Sequence, residues 1–344
     1  MTSSPRFQRL AFFTRLLDAA PPAERYRLAA EQIAHAEAQG YDTAWVAQHH
    51  FHEHEGGLPS PFVFLGHLAA RTSRIRLGTG IITLPLELPV RVAEDAIVLD
   101  LISGSRLELG VGNGGNPTAF AGFELDNENR NDLFVRNLAR LRGALAGDPI
   151  PGGDTLYPQQ PGLARRIWQA TFSVSGGTRA GQAGDGLMLS RTQPRPPETP
   201  NATLAELQDP IIDAYLAALP PGRAPRIVGS RSVFVAESRA EARRLADIGL
   251  RTQLRRFVER GFAAPADTLD GLIEAFDVHV GTPADVVASL RADKTLAHAT
   301  DLAVQVHSVD PPHPLILRSI ELVAQEVAPA FGWQAQRVEA ETVL

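Results

Sequence analysis

The chain has no cysteine among its 344 residues. That absence excludes disulfides, thiolate metal sites and a cysteine nucleophile, and it agrees with a reducing cytoplasm. There is no long basic run, and the formal net charge is −6, which argues against a nucleic-acid partner. No apolar stretch approaches the length of a membrane span. Near the N-terminus the apolar run covers only Leu10 to Phe13, too short for the core of a signal peptide. No internal repeat of fixed period is present. These absences predict a soluble cytoplasmic protein. What is there is ordinary for a folded chain: 44% hydrophobic and 21% charged residues, enough for a large core and too apolar for disorder.

Apolar runs alternate with segments of helical period along the chain. Strands are predicted at 9–14, 42–47, 74–84, 106–112, 170–175, 186–190, 226–237 and 301–307. Helices are predicted between them, for instance over 22–39, closed by Gly40, and over 89–102, with a Leu-Pro start and a Ser-Gly stop. Residues 147–165 read as a Pro- and Gly-rich loop, and 251–280 as irregular. Eight strand–helix pairs with no visible boundary predict an α/β protein. Its architecture is a (β/α)8 TIM barrel, a single domain over 1–344 with loop insertions at the C-terminal face. The strands are near-continuously apolar, as strands buried on both faces should be.

The strand at 42–47 runs straight into His49 and His50, and His52-Glu53-His54-Glu55 follow. In α/β folds the C-terminal strand edge is where active sites sit. A metal reading needs further ligands from later strand ends. The predicted fifth and sixth strands end in Ser175 and Ser190, and Asp301 stands at the wrong end of the eighth. Acid–base chemistry is the better reading. In an extended chain His49 and His50 point to opposite faces, one to the barrel mouth and one to the shell. His52 and His54 read as loop residues.

Gly110-Val111-Gly112-Asn113-Gly114-Gly115 matches G-x-G-x-x-G, but it follows a fourth strand and meets Asn116-Pro117 instead of opening a helix at the glycines, so a dinucleotide fold is not expected. With Gly78-Thr79-Gly80 it suggests a planar ligand lying against small residues at strand ends; tight packing inside the barrel is the alternative. Ser175, Gly176, Gly177 and Thr178 supply hydroxyls and N–H groups where a helix opens, a combination that cradles phosphate, or else forms an ordinary N-cap. Arg130 and Arg179 are candidate counter-charges. Glu94 and Asp95 read as structural ion-pair partners, with Arg106 as a candidate.

Three segments together resemble the bacterial luciferase-like monooxygenase family: GYDTAWVAQHHF (40–51), TSRIRLGTGIITLPLELPVRVAEDAIVLDLISGSRLELGVGNG (72–114) and SVSGGTRAGQAGDGL (173–187). The resemblance implies a TIM barrel that binds reduced FMN at the C-terminal strand ends and uses it with O2 on a small organic substrate. It also implies a separate NAD(P)H-dependent flavin reductase as partner and a homodimer. Some relatives bind the deazaflavin F420 instead and only transfer hydride, and a non-catalytic flavin-binding protein is a further alternative. By the resemblance, His49 is the catalytic histidine beside the flavin, and Thr79 and Gly80 lie against its ring. A non-proline cis peptide is expected at Gly80–Ile81. Arg130, Ser175 and Thr178 match phosphate contacts, with Gly176 and Gly177 as N–H donors. The chain departs from the family at three positions. Gln48 stands where a glutamate is frequent, Asn113 where many members carry a phosphate-binding arginine, and Val174 where luciferase has an acidic residue. The missing arginine removes a charge-assisted hydrogen bond worth about 1.5–3 kcal/mol. Substrate-shaping loops are expected at 52–61, 114–125 and 251–280, where Phe51, Phe120, Phe123 and Phe262 suggest an apolar pocket.

Overall fold

Strand pairing closes on itself in a computed structural model that describes residues 5–196, 198–307 and 309–335. The circuit of parallel strands runs β1 (Arg9–Thr14), β2 (Thr43–Val46), β3 (Arg76–Thr79), β5 (Leu107–Gly112), β6 (Ile167–Ala170), β7 (Gly186–Leu189), β8 (Ile227–Val235) and β10 (Asp301–Gln305). β10 is hydrogen-bonded to both β8 and β1, which makes an eight-stranded barrel. Two more strands, β4 (Ile82–Thr83) and β9 (Val278–Gly281), pair with β5 and β8 outside that circuit. The helices are α1 (Pro22–Ala38), α2 (Pro61–Ala69), α3 (Pro89–Ile102), α4 (Pro117–Gly122), α5 (Arg130–Ala146), α6 (Val174–Gln182), α7 (Leu204–Ala218), α8 (Arg239–Glu259), α9 (Leu269–Ala275), α10 (Pro283–Ala292) and α11 (His313–Leu322). This is the expected (β/α)8 single domain; the ends of the range 1–344 lie outside the described residues. No helix among them is long and apolar enough to cross a membrane.

The largest core cluster lies between barrel and helices, and a smaller one fills the barrel itself, with Ala11, Trp45, Trp168, Met188, Val228 and Ala303. Trp45 stands opposite Gly78 on the neighbouring strand, and Trp168 opposite Gly186. A Cβ on either glycine would run into the indole ring. The flat group against Gly78 is therefore the protein's own Trp45, so the planar-ligand reading of that glycine is corrected to tight barrel packing.

Four further expectations change. The strand predicted at 74–84 is split into β3 and β4, with a cis peptide at Gly80–Ile81. The strand predicted at 170–175 lies earlier, at Ile167–Ala170. Ser173 caps α6 by accepting from the Gly176 N–H at 3.2 Å, and this turns a β-prone stretch into a helix start. Residues 251–280 are mostly ordered: α8 runs on to Glu259, α9 follows, and β9 pairs with the second half of the nine-residue β8. Glu94 and Asp95 pair with Arg91 on their own helix, whereas Arg106 is held by Thr72 and by backbone carbonyls.

Candidate active site

Alternation along the strands decides what reaches the barrel axis. Ala11 and Phe13 on β1, Trp45 on β2 and Ala303 on β10 belong to the interior cluster, so the same faces carry Arg15, His49, Gln305 and His307 at the C-terminal end. His49 meets Arg15 there. The Arg15 Nε–H donates to His49 Nε2 at 3.3 Å, and its Nε and Nη2 also donate to the Glu55 carbonyl at 3.1 and 2.7 Å. An imidazole nitrogen that accepts a hydrogen bond carries a lone pair, so the proton of neutral His49 is on Nδ1, which lies 3.9 Å from Glu55 Oε2. Burial, then the charges of Arg15, His50 and Arg191, hold the His49 pKa down to about 3. His49 is thus a neutral hydrogen-bond donor, the histidine turned to the mouth.

His50 points the other way. Its ring stands edge-on to Phe123 at 5.0 Å, in a small cluster with Phe51, and burial lowers its pKa. His52 and His54 lie in the following loop with their rings 5.4 Å apart, and no group of metal-binding side chains occurs among the described residues. Gln48 braces this loop: its Nε2 donates to the Pro59 carbonyl and Glu87, and its Oε1 accepts from the Thr83 N–H. A glutamate could not make both donor contacts.

The remaining site residues fall into two groups. Thr79 is fully buried, and its hydroxyl both donates to the Gly110 carbonyl at 2.8 Å and accepts from the Gly110 N–H at 2.9 Å. Its side chain joins β3 to β5 and has no surface left for a ligand. A Cβ on Gly80 would press on the Phe13 ring. On the far side of the mouth, β5 and β6 end side by side. There Asn113 Nδ2 is bonded to Asn131 Oδ1, while Asn113 Oδ1 is buried without a partner among the described residues. Arg130 opens α5 and donates to the Asn127 carbonyl at 2.9 Å.

The start of α6 carries a chain of hydroxyls. Thr171 Oγ1 lies 3.3 Å from Ser173 Oγ, which lies 3.2 Å from Ser175 Oγ. The N–H groups of Gly176 and Gly177 are not presented to the mouth, because Ser173 takes both through its hydroxyl and its carbonyl. The first-turn donors left over are those of Val174 and Ser175. A Cβ on Gly177 would strike the Ile211 carbonyl, so this glycine lets α6 close onto α7. Thr178 donates back to the Val174 carbonyl at 3.2 Å. Arg179 is turned into the shell, bonded to Gln169 at 3.0 Å and lying over Phe134 at 4.8 Å, so it is no counter-charge for the mouth.

Arg15, Arg191, Gln305 and His307 were not among the expected site residues. Arg191 is buried and donates to Gln305 Oε1 at 3.0 Å and to Ser232 Oγ at 3.1 Å. The signal for Arg15, Gln305 and His307 lay in the alternation of RLAFFTR and DLAVQVH once their strands were recognised.

A model of the luciferase-like monooxygenase family matches residues 7–299, most of the barrel and all of the mouth up to β10. The chain belongs to that family. It is 28% identical over 324 residues to limonene 1,2-monooxygenase from Rhodococcus erythropolis, covering 88% of this chain and 80% of that one. It is 31% identical over 214 residues to 4-hydroxyprotoasukamycin monooxygenase from Streptomyces nodosus subsp. asukaensis, covering 59% of this chain and 57% of that one. The chain thus spans little more than half of the latter relative. Among solved structures, the monooxygenase RslO1 from Streptomyces bottropensis superposes with a TM-score of 0.75 at 25% identity, over 94% of this chain and 100% of that one. The same barrel fold is found in the oxygenating constituent of 3,6-diketocamphane monooxygenase from Pseudomonas putida, solved in complex with FMN, with a TM-score of 0.73 at 18% identity over 95% and 99%. It also occurs in an F420-dependent tetrahydromethanopterin reductase from Methanopyrus kandleri, with a TM-score of 0.67 at 18% identity over 96% and 100%. Those last two likenesses concern the fold alone.

Proposed function

We propose that this protein is a flavin-dependent monooxygenase that takes reduced FMN and O2 to a small organic substrate at the C-terminal mouth of the barrel. The observation that carries the reading is the neutral, axis-facing His49, its acceptor nitrogen held by Arg15, across the mouth from the hydroxyl-lined start of α6. The donor chemistry fits the cofactor. The N–H groups of Val174 and Ser175 and the hydroxyls of Thr171, Ser173 and Ser175 would hold the phosphate at a helix N-terminus. Arg130 would supply the positive charge. The orphaned Asn113 Oδ1 is an acceptor, suited to a sugar-alcohol hydroxyl better than to a phosphate oxygen. Gly80 would admit the ring through its backbone. Gly176, Gly177 and Thr178 would shape the cradle by setting the helix start.

Bound reduced flavin supplies the electrons that activate dioxygen. His49 contributes a fixed N–H donor: Arg15 keeps Nε2 occupied, so Nδ1–H is the group left to stabilise developing negative charge. Phe51, Phe123 and Phe262 are exposed on the segments expected to shape the substrate pocket and would favour an apolar substrate body. The reduced flavin comes from a separate NAD(P)H-dependent reductase, and the protein works in the cytoplasm as a homodimer. The apolar face of α2 and α3, with Val63, Val98 and Ile102 exposed, supports self-association. Ile102→Glu should then give a monomer by sedimentation.

The deciding experiment is anaerobic titration with reduced FMN and reduced F420, followed by admission of oxygen and a substrate screen. Selective F420 binding without oxygen uptake would replace this reading with that of an F420-dependent oxidoreductase, the alternative that the shared fold allows.

A further inference from the structure

The polar groups on the His49 side of the mouth are mostly donors. Arg15 is a fixed cation, His49 offers Nδ1–H, and Gln305 Nε2 is buried without a partner among the described residues. His307 is different. It follows β10 on the same axis-facing alternation as Ala303 and Gln305, and it is 1% exposed. Its Nδ1 lies 3.2 Å from Asp310 Oδ1. A carboxylate only accepts, so Nδ1 carries a proton, and in the neutral ring the lone pair is on Nε2. That Nε2 is buried with no partner among the described residues, an acceptor set amid donors. A carboxylate behind an imidazole fixes its tautomer and stabilises the imidazolium once it forms.

The charged groups around this pair are few. Arg15 at the end of β1 and Arg191 after β7 both feel Asp310, and Arg256 and Arg260, at and just beyond the end of α8, act on Arg15. The Glu55 carboxylate acts on Arg15 too, its Oε2 3.9 Å from His49 Nδ1. An oxyanion formed here would meet positive charge, and a proton leaving it would meet one nitrogen able to take it. Phe51 after β2, Phe123 after β5 and Phe172 after β6 are exposed aromatic side chains on loops that follow barrel strands.

We propose that His307, oriented by Asp310, is the proton acceptor of the site, and that the substrate is an aromatic or enolic compound with an ionisable hydroxyl. In the step, the substrate O–H bond breaks and the proton passes to His307 Nε2. The electron pair stays on oxygen, which then faces Arg15, Gln305 and His49 Nδ1–H. Asp310 is a positioning residue. The inference rests on the C-terminal mouth being the active site.

The test uses 4-nitrophenol, whose phenolate band reports ionisation, with the full-length protein in the presence and absence of FMN, at a pH where the free phenol is neutral. Wild type should bind the probe saturably as phenolate. His307→Gln should bind it with the neutral spectrum, and Asp310→Asn should lower the bound phenolate fraction about tenfold. Nitrogen NMR of wild type, needing no variant, should show His307 as the Nδ1–H tautomer, becoming doubly protonated as the probe binds. No saturable binding, a bound probe that stays neutral, phenolate that persists in His307→Gln, or a His307 that stays singly protonated overturns the proposal. FMN affinity is read separately by flavin fluorescence. If FMN fails to bind while the probe ionises through His307, the flavin reading falls and the proton acceptor stands.

Discussion

The two ends of one barrel treat charge in opposite ways. At the N-terminal end Arg9 pairs with Asp301 at 2.9 Å, Arg76 with Glu108 at 2.5 Å, and the Trp168 indole N–H donates to Glu108 at 2.7 Å. At the C-terminal end Arg15 donates to an imidazole and a carbonyl, and the buried Nε2 atoms of Gln305 and His307 lack partners among the described residues. The strands and their alternation are the same. The difference is that carboxylates and guanidiniums pair across strands at the lower end, where they hold strands in register, while at the upper end a guanidinium meets an imidazole and neutral side chains whose free atoms a ligand can reach. Buried atoms without partners among the described residues occur at both ends, Asp301 Oδ1 and Arg226 Nε among them at the lower one. Buried polar groups without partners are costly, and they persist in proteins chiefly where function uses them.

The contrast breaks most visibly at Glu108. Removing this buried carboxylate in Glu108→Ala strands Arg76 and the Trp168 indole N–H, while Arg9 keeps Asp301, and should cost about 3 kcal/mol by urea denaturation, with FMN affinity in native buffer unchanged. The upper end should behave in reverse: His49→Ala should lower oxygen-dependent turnover about 100-fold while the urea midpoint hardly moves. Loss of stability instead of turnover would make His49 a structural residue.

Acid separates the ends further. His49 is held at about 3, below its ordinary value, by burial and then by Arg15. The unfolded chain therefore binds a proton that the native state refuses, and stability is lost as pH falls from about 6.5 toward 3. His279, held at about 4 mainly by burial, adds to the same loss. His49→Gln should flatten the slope of unfolding free energy against pH in that window and leave the share of His279. An unchanged slope would mean that His49 is not neutral in the native state. A smaller effect is expected at the cradle, where Ser175→Ala should weaken FMN binding several-fold, about 1 kcal/mol, without a change in melting temperature. Smallest of all, Arg91→Ala on the outer face of α3 should shift stability by no more than about 0.5 kcal/mol, since its pairs with Glu94 and Asp95 are exposed.

Much of the barrel was legible because its strands are short apolar runs bounded by turns and helix caps. The strands β1, β2, β5, β7, β8 and β10 lie close to where the residue pattern puts them. The β6–α6 junction was not, because Phe172 and Val174 favour a strand while the Ser173 cap and the close approach of Gly177 to Ile211 decide for a helix. β9 was invisible for a related reason: Val278–Gly281 is a strand through its pairing with β8. In the site, the opposite directions of His49 and His50 could be read from adjacency alone. Thr79 was misjudged in one respect, since a threonine at a strand end gives no sign that its hydroxyl will be used up by the Gly110 backbone.

The residue pattern suffices for the barrel and for telling which histidine of the adjacent pair His49 and His50 faces its C-terminal mouth. These follow from local periodicity and from the alternation of side chains along a strand, which need no knowledge of neighbours. The tautomer of His49, the pairing of His307 with Asp310 and the use of Gly78 to seat Trp45 arise from residues far apart in the chain or on different elements. Hydrogen-bond direction and close packing depend on which groups meet in space, and closing the ring of strands is what brings them together.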